Sequence, residues 1–318
     1  MKHFYIALFF ISSFFNFSSA QNEFIFKVET TSPNESFTIP TKSGETYNYQ
    51  IAYIKAAGQL PRFINITGSS TLTFDDPGIH TITINRIPGD FSSNPYFPAI
   101  YFNNSGDKDK IVSIEQWGGI NQKWTNMENA FYGCSNLVIN ATDRPNLSNV
   151  SSLGNMFNGA TNFQDNGGAV GNWNISNITT MQNMFADVKI PGDDYTAILD
   201  GWATAGAGET IPTNITVNFG TSVYTGNTDS WNILKNTYFW SIQEYTDAFI
   251  TTWRTNTPNE DIRLLVGGTG ILYDVDWGDG TTSAGLTGIA DHTYTNAGTY
   301  TVVMTGIYPH FDINNNTT

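Results

Sequence analysis

The sequence predicts a mainly β protein with minor α content, in which two β-sandwich units flank a short repeat solenoid of strands and helical turns. Two observations support this fold class. Residues 24–39 and 249–264 resemble each other, and residues 273–277 and 300–304 carry apolar residues at every second position, as half-buried strands do. Between the two stretches that resemble each other, a shorter motif recurs with a period of under thirty residues, as repeat architectures do.

The first twenty residues are typical of a secretory signal peptide. Lys2 and His3 form a short basic region, residues 4–15 are apolar apart from two serines, and small residues follow at 18–20. The apolar run is too short to span a membrane, and no later segment is apolar over a sufficient length. We therefore expect a mature chain beginning at Gln21 that is secreted or held at the cell surface, without a membrane span.

The composition argues against one class of partner. The chain has 14 basic and 28 acidic residues, a net charge of −14, so it repels phosphate backbones and nucleic-acid binding is not expected. Charged residues make up only 13% of the chain and aromatic residues 14%, which favours a folded, loop-rich β protein over a disordered acidic one. A length of 318 residues allows two or three domains.

The two predicted sandwiches comprise residues 21–115 and 246–318. Three landmarks recur in both units in the same order. They are Pro33-Asn34-Glu35 and Pro258-Asn259-Glu260, then Tyr53 and Trp277, then His80 and Tyr300. The first unit is therefore expected to be a divergent copy of the last, with Tyr53 and Trp277 at equivalent sheet positions.

The last unit carries the most specific local motif in the chain. A run of alternating apolar residues stops at Asp279-Gly280, a dipeptide typical of tight hairpin turns, and a second alternating run follows a later glycine. The motif elements are Trp277-Gly-Asp-Gly, His292-Thr-Tyr and Gly298-Thr-Tyr-Thr-Val. Together they resemble the polycystic-kidney-disease (PKD) domains. This resemblance implies a small extracellular, Ig-like β-sandwich that acts as a spacer or interaction module, without catalysis.

The region 116–245 contains three copies of one template. Phe131, Phe157 and Phe185 recur after 26 and 28 residues within stretches such as Met127-Glu-Asn-Ala-Phe131-Tyr-Gly-Cys134. Such a period is typical of leucine-rich-repeat coils, so we expect these phenylalanines to be buried and stacked along the coil axis. The template closely resembles the BspA-type leucine-rich-repeat surface proteins of bacteria, a mycoplasma-type repeat of unknown function. That resemblance implies surface display and adhesion, with no enzymatic activity.

Two helices are predicted to close the repeats. Tyr195, Ile198, Leu199 and Trp202 fall on one face of a helix capped by Asp193 or Asp194. A second helix, capped by Thr228 or Asp229, carries Trp231 and Leu234 and precedes a strand over residues 238–242.

The sequence contains no zinc-protease, paired-cysteine, serine-hydrolase, phosphate-loop or dinucleotide motif, and Gly267, Gly268 and Gly270 are interpreted as loop residues. His80 is predicted to be a strand residue, and His292 a ring that is hydrogen-bonded to the hairpin turn. No catalytic residue, cofactor-binding residue, metal ligand or cofactor is therefore predicted, and we do not expect an enzyme.

Two clusters have a functional and a structural interpretation. Asp274, Asp276 and Asp279 could bind calcium through hard oxygens, but the sequence favours Asp279 as a cap of the hairpin amides, with the other two exposed. Five tryptophans suggest carbohydrate stacking, but the repeat register favours packing, because Trp173 shares a slot with Pro145. These tryptophans are Trp117, Trp124, Trp173, Trp202 and Trp231.

The single cysteine, Cys134, excludes an internal disulfide, and it is too far from residue 20 to carry a lipid anchor. It occupies the slot of Ala160 in the next repeat, where a small apolar side chain is required. We expect it to be buried, unpaired and chemically inert.

Two functional interpretations remain. The first is a non-enzymatic secreted or cell-surface protein whose repeats present an interaction or adhesion surface to an extracellular protein or glycan, with the sandwiches as spacers. The second is an accessory region, glycan-binding or positioning, of a larger exported enzyme. It follows from the resemblance of residues 308–318 to residues 96–105, which precede the repeats, so the last unit is expected to be truncated. The oligomeric state is left open.

Overall fold

The computed structural model describes residues 23–92, 94–119, 121–166, 169–222, 228–243, 249–267, 271–307 and 310–312. The chain is mainly β, with 35% strand and 9% helix, as the sequence predicts. The predicted signal peptide and the glycines at 268 and 270 lie outside the described residues. The prediction that Gly267 is a loop residue is wrong, because it is the last residue of the strand Glu260–Gly267. Where the chain is described, none of its helices combines the length and the apolar character that crossing a membrane requires.

The strands of the described residues are numbered here in chain order. They are β1 Phe24–Thr30, β2 Glu35–Thr38, β3 Tyr49–Tyr53, β4 Arg62–Ile66, β5 Thr71–Phe74, β6 Gly78–Arg86, β7 Ile111–Gln116, β8 Val138–Ile139, β9 Gln164–Asp165, β10 Thr216–Asn218, β11 Ser241–Gln243, β12 Phe249–Thr255, β13 Glu260–Gly267, β14 Leu272–Asp276, β15 Thr282–Leu286, β16 Ala290–Tyr294, β17 Gly298–Ile307 and β18 His310–Asp312. The helices are α1 Gly192–Trp202 and α2 Thr228–Asn232, with a 3-10 turn at Ala169–Asn172 and a π turn at Ile233–Thr237.

One seven-stranded sheet joins the first unit to the repeats. Its order is β4-β3-β6-β1-β7-β8-β9, antiparallel up to β7 and parallel from β7 to β9. A second sheet, β2-β5, packs against it, because the rings of Phe26 and Phe37 lie 5.9 Å apart across the core. The buried residues of the first unit and of the repeats form a single hydrophobic cluster. The sheet and the core therefore continue across residue 116 without interruption.

The repeat phenylalanines stack as predicted. The ring centroids of Phe131 and Phe157 are 5.8 Å apart and those of Phe157 and Phe185 are 5.5 Å apart, with nearly parallel planes. Phe219 adds a fourth stacked ring, 5.3 Å from Phe185, which the sequence comparison missed because the rest of the template is lost there. All four rings are fully buried. A shared aromatic column is how coils too short to fold alone acquire a common core.

The asparagine two residues before each repeat phenylalanine sets the turn of its coil. Asn129, Asn155 and Asn183 have φ values of 56°, 52° and 55°. This left-handed conformation is strained for most residues but accessible to asparagine. The backbone then bonds to the next coil, since the Phe131 amide donates to the Met156 carbonyl at 2.9 Å.

The first closing helix has the predicted buried face but not the predicted cap. Tyr195, Ile198, Leu199 and Trp202 are buried on α1. The helix follows Pro191 without a side-chain capping bond, so the predicted cap at Asp193 or Asp194 is wrong. Both aspartates lie in the first helical turn, where their charge favours the positive end of the helix.

The second predicted helix is present, with Trp231 in α2 and Leu234 in the π turn, but it begins at the predicted cap residues. Thr228 and Asp229 are the first two residues of α2, and Leu234 is buried in the π turn that follows. The predicted strand over 238–242 is reduced to β11, because Phe239 has a φ of 58° and interrupts the extended run. Strand β11 pairs in parallel with β10.

The last unit has two sheets, β12-β17-β14-β15 and β16-β13-β18, around a hydrophobic cluster of its own. The order β12-β17-β14-β15 repeats the order β1-β6-β3-β4 of the first unit. Tyr53 ends β3 and Trp277 directly follows β14, so the predicted equivalence of these two positions is confirmed. The hydroxyls of Tyr49 and Tyr273 support this register, since each donates to a glycine carbonyl, at Gly68 and Gly288.

Candidate functional site

A polar groove with a volume of about 1070 Å³ lies beside the repeats, between their asparagine turns and the end of α1. Amide and hydroxyl side chains make up eight of its nineteen lining residues, among apolar and charged ones. The polar lining residues include Asn121, Asn146, Asn172, Asn174, Asn177 and Thr204. Such groups both donate and accept hydrogen bonds, so the groove can bind a polar ligand through many weak contacts.

Two glycines let backbone segments meet at the base of the groove. A Cβ atom on Gly171 would overlap the Ala197 carbonyl oxygen, and one on Gly201 would overlap the carbonyl oxygen of Gly171. The 3-10 turn therefore lies directly against α1. The Trp202 Nε1 group fixes this contact by donating to the Val170 carbonyl at 3.0 Å. The result is a floor made of backbone atoms with little freedom to move.

The wall of the groove is built by a repeated asparagine turn. The Asn146 Oδ1 atom accepts from the Ser148 amide at 3.1 Å, and Asn174 Oδ1 accepts from the Ser176 amide at 3.0 Å. These side chains replace a backbone turn, which is a common role of asparagine. Asn177 joins the two coils, because its Nδ2 group donates to the Ser148 carbonyl at 2.9 Å. The distance between the wall residues is thus set by the spacing of the coils.

The charged groups of the groove have separate roles. Asp143 accepts hydrogen bonds from the amides of Trp117, Gly118 and Gly119 at 2.9 to 3.0 Å, so its carboxylate is used structurally. Arg144 pairs with Glu209 at 2.7 Å, and its side chain is 55% exposed. The guanidinium group therefore remains accessible to a ligand in the groove.

The three aspartates of the predicted cluster, Asp274, Asp276 and Asp279, lie at the hairpin of the last unit and do not line the groove. Asp279 Oδ1 accepts from the Thr281 amide at 3.0 Å and from its hydroxyl at 2.6 Å, which confirms the predicted turn cap. Asp276 and Asp274 accept from different amides, of Gly278 and Gly285. The Thr281 hydroxyl and His292 lower the pKa of Asp279 to about 2. In the part of the chain that the structure describes, no three His, Cys, Asp or Glu side chains group as metal ligands.

The two histidines that the sequence predicts to be structural each hydrogen-bond to a polar side chain, one in each unit. His292 Nε2 lies 2.8 Å from Asp279 Oδ2, which confirms its predicted bond to the turn, and its ring stacks on Trp277. His80 lies in β6 as predicted and hydrogen-bonds to Thr30 Oγ1 at 2.8 Å. The structure therefore places both rings in packing and hydrogen-bonding roles.

The tryptophans are mainly packing residues, as favoured from the sequence. The four that are almost fully buried are Trp117, Trp124, Trp173 and Trp202. Trp231 is partly buried, with the Lys235 ammonium 3.7 Å from its ring centroid. No ring among the four buried ones is open enough to stack on a sugar.

Cys134 is buried and unpaired, as predicted. Burial raises the pKa of its thiol well above the ordinary value. The thiolate, which is the reactive form, is therefore disfavoured.

Sequence analysis missed one buried carboxyl group. Asp165 is fully buried, its Oδ2 atom accepts from the Val170 amide at 2.8 Å, and its Oδ1 atom has no hydrogen-bond partner among the described residues. Burial raises the pKa of this carboxyl to about 6. The nearby Asp194 accepts from the Asp165 amide, and burial raises its pKa too. Nothing in the sequence marks Asp165, because it lies in a two-residue strand beside ordinary loop residues.

The fold is thus that of a mainly β protein with stacked repeat coils. Residues 125–260 match a family described as Mycoplasma protein of unknown function, DUF285. The match covers most of the repeat region and the start of the last unit, which is less than half of the chain. No curated protein and no solved structure matches this chain.

Proposed function

We propose that this chain is a non-enzymatic secreted or cell-surface protein whose repeats present a binding surface. The groove beside the asparagine turns is the observation that carries the proposal. Its floor is backbone packed on backbone, and its wall displays amides at the coil spacing. Pre-organised polar groups of this kind favour binding, because little conformational entropy is lost when a ligand is held.

The remaining features support the same role. The stacked coils are consistent with leucine-rich repeats of the BspA type over residues 116–245, and the family match there is to a mycoplasma-type domain. The Asp279 turn and the His292 ring fit a PKD-like sandwich over residues 246–318, with a divergent copy over residues 21–115. A signal peptide over residues 1–20 accounts for export. In this arrangement the sandwiches are spacers on either side of the repeats that carry the groove.

The groove chemistry indicates an uncharged or mildly acidic extracellular ligand, either a protein loop or a glycan. Its amides and hydroxyls match sugar hydroxyls and peptide groups equally well. The Arg144 guanidinium adds a planar donor that suits a carboxylate or a carbonyl. A glycan ligand would also suit an accessory region of a larger exported enzyme, which is the second candidate function.

The test compares two exposed arginines that each form an ion pair. Arg144 lines the groove, whereas Arg263 pairs with Asp291 in the last unit, and their side chains are 55% and 58% exposed. The mature chain is applied to an oligosaccharide array and to immobilised extracellular-matrix proteins. Arg144→Ala should weaken binding at least about tenfold, while Arg263→Ala leaves it unchanged.

Both substitutions should leave the fold intact, since exposed ion pairs contribute only about 0–1 kcal/mol. Equal binding by the two variants, or no saturable binding of the parent chain to any probe, contradicts the proposal. Array hits on oligosaccharides alone favour the accessory role, and hits on proteins favour adhesion.

A further inference from the structure

The equivalent edges of the two sandwiches are covered differently. Strand β1 lies between β6 and β7 in its sheet. Its counterpart β12 pairs with β17, and none of the other described strands pairs with its outer side. An open strand edge exposes backbone amides and carbonyls, which makes it a template for another strand.

The two strands are equivalent residue by residue. Each makes seven antiparallel pairs with the neighbouring strand, from Phe24 to Thr30 and from Phe249 to Thr255, and both series end opposite a glycine. Both also end in a threonine whose hydroxyl donates to a loop carbonyl, Asp76 for Thr30 and Asn296 for Thr255. The arrangement at β1 therefore shows what the β12 edge is shaped to receive.

Strand β7 runs antiparallel to β1. The Glu29 amide donates to the Lys110 carbonyl at 2.8 Å, and Lys27 lies opposite Ser113. Because amide directions alternate along a strand, the amides equivalent to those that face β7 are those of Ile250, Thr252 and Arg254. These three are the donors available on the outer edge of β12.

Strand β7 also brings apolar cover. Its Ile111 and Ile114 are buried, and Trp117, just beyond it, packs 6.1 Å from the ring of Phe24. On the last unit, by contrast, the counterpart of the fully buried Phe24 is Phe249, which is 38% exposed. An added strand of the β7 type with its first coil would remove apolar surface there as it does on the first unit.

We propose that the outer edge of β12 is a docking site for an antiparallel strand of the β7 type, with the pattern Ile-Val-Ser-Ile, at the head of a repeat block. Backbone pairing supplies the affinity, and the alternate apolar side chains supply the selectivity. The last sandwich then binds a repeat block through β12, in the way that the first sandwich binds its own repeats through β1.

A disulfide-exchange experiment tests this docking at any affinity. The full mature chain carries Thr252→Cys and Cys134→Ala. Its one thiol then lies at the position equivalent to Lys27, opposite the position of Ser113 in a docked β7-type strand. The probe is a synthetic peptide of residues 109–117 with Ser113→Cys, in competition with glutathione. The matched peptide should form the mixed disulfide at least about tenfold more favourably than a scrambled peptide with the same central cysteine.

A third substitution separates edge pairing from non-specific contact. Ile250→Pro removes one outward amide and should abolish the preference without disturbing the β12–β17 pairing, because proline is tolerated at a free edge. Ile250→Val keeps the amide and should keep the preference. Equal exchange with both peptides overturns the proposal. So does a dimer of the parent chain, measured by analytical ultracentrifugation, that Ile250→Pro dissociates, because the occupant is then a second copy.

Discussion

The first and last sandwiches keep the same corner. Glu35 accepts hydrogen bonds from the Thr31 and Ser32 amides, and Glu260 accepts from the Asn256 and Thr257 amides. The asparagine before each glutamate, Asn34 or Asn259, has a φ of 60°. The recurring Pro-Asn-Glu is therefore a structural signature, in which asparagine makes the turn and glutamate satisfies its amides.

The central hairpins of the two units are held by different residues. In the last unit Asp279 bonds to His292, which ties the turn after β14 to β16. In the first unit Lys55 pairs with Asp75 at 2.6 Å, and the Ala57 amide donates to Asp76. Each unit thus has polar contacts that hold its central hairpin against a neighbouring segment, but the residues that form these contacts differ. Turn sequences can diverge as long as a polar tie remains.

The cores of the two units differ more deeply. The first sandwich and the repeats share one hydrophobic cluster, because β7 continues the first sheet into the coils. The last sandwich has a separate cluster around Trp277 and Tyr294. This difference predicts that damage to the repeats spreads to the first sandwich but not to the last.

Phe157→Ala is expected to have the largest effect. The ring is fully buried between Phe131 and Phe185, so its loss should cost about 3–5 kcal/mol. Hydrogen exchange monitored by mass spectrometry should show faster exchange in the coils and in β1 to β7, and unchanged exchange in β12 to β17.

The matched control is Trp277→Ala, which removes a buried ring from the separate core. It should open the last unit and leave the repeats protected. If Phe157→Ala also opened the last unit, or spared the first, the assignment of two cores would be wrong.

Asp165→Asn should have the next largest effect, with a defined pH dependence. The folded pKa of Asp165, about 6, lies above its unfolded value, so the favourable contribution of the neutral form is lost as the pH rises through 6. The variant should therefore be more stable than the parent at pH 8, by about 1–3 kcal/mol, and similar to it near pH 4.

Urea unfolding at both pH values measures this difference. The control is Asp193→Asn, which changes an exposed aspartate in the first turn of α1. The difference in unfolding free energy between this variant and the parent should not change in this way between pH 5 and 8. A parent chain that becomes more stable relative to Asp165→Asn as the pH rises would contradict the burial argument.

The sequence predicts local features well where a pattern repeats. The phenylalanine spacing identifies the aromatic column, and the Asp279-Gly280 turn identifies the hairpin. The continuation of the sheet through β7 was not predictable, because a strand that joins two units has the same alternation as any other. Asp165 was also missed, since its burial results from packing against α1 and the 3-10 turn, which are distant in the sequence. Cap positions shifted for a similar reason, as Pro191 starts the helix before Asp193 is reached.

The two corner glutamates offer a smaller and more direct comparison. The Thr31 amide and Lys110 lower the pKa of Glu35 to about 2, and the Asn256 amide lowers that of Glu260. Because both folded pKa values are below the unfolded one, the stabilisation by each carboxylate is present above about pH 4.5. It is lost as the pH falls toward 2 for Glu35, and as the pH falls through the lowered pKa for Glu260.

Glu35→Gln should therefore lower the melting temperature more than Glu260→Gln at pH 7, since Glu35 also pairs with Lys110 at 3.1 Å. Both differences from the parent should shrink at pH 3. Differential scanning calorimetry at the two pH values measures them. An effect of Glu35→Gln that is larger at pH 3 than at pH 7 would be inconsistent with a charged cap.

Cys134→Ala should have the smallest effect. The thiol fills the slot that Ala160 fills in the next coil, and both residues are fully buried. We expect a cost of about 1 kcal/mol for the lost sulfur atom. Thiol labelling of the native parent should be slow and should accelerate on unfolding, whereas rapid labelling without denaturant would show that the repeat register is wrong.

The central claim is that the first sandwich and the repeats form one cooperative unit and the last sandwich a second. Native-state hydrogen exchange of the full chain in increasing denaturant tests it most directly. The account predicts that the amides of β6, β7 and β8 reach one common opening free energy, and that those of β14 and β17 reach a different one. Separate opening free energies for β6 and β8, or one shared by all five strands, would contradict it.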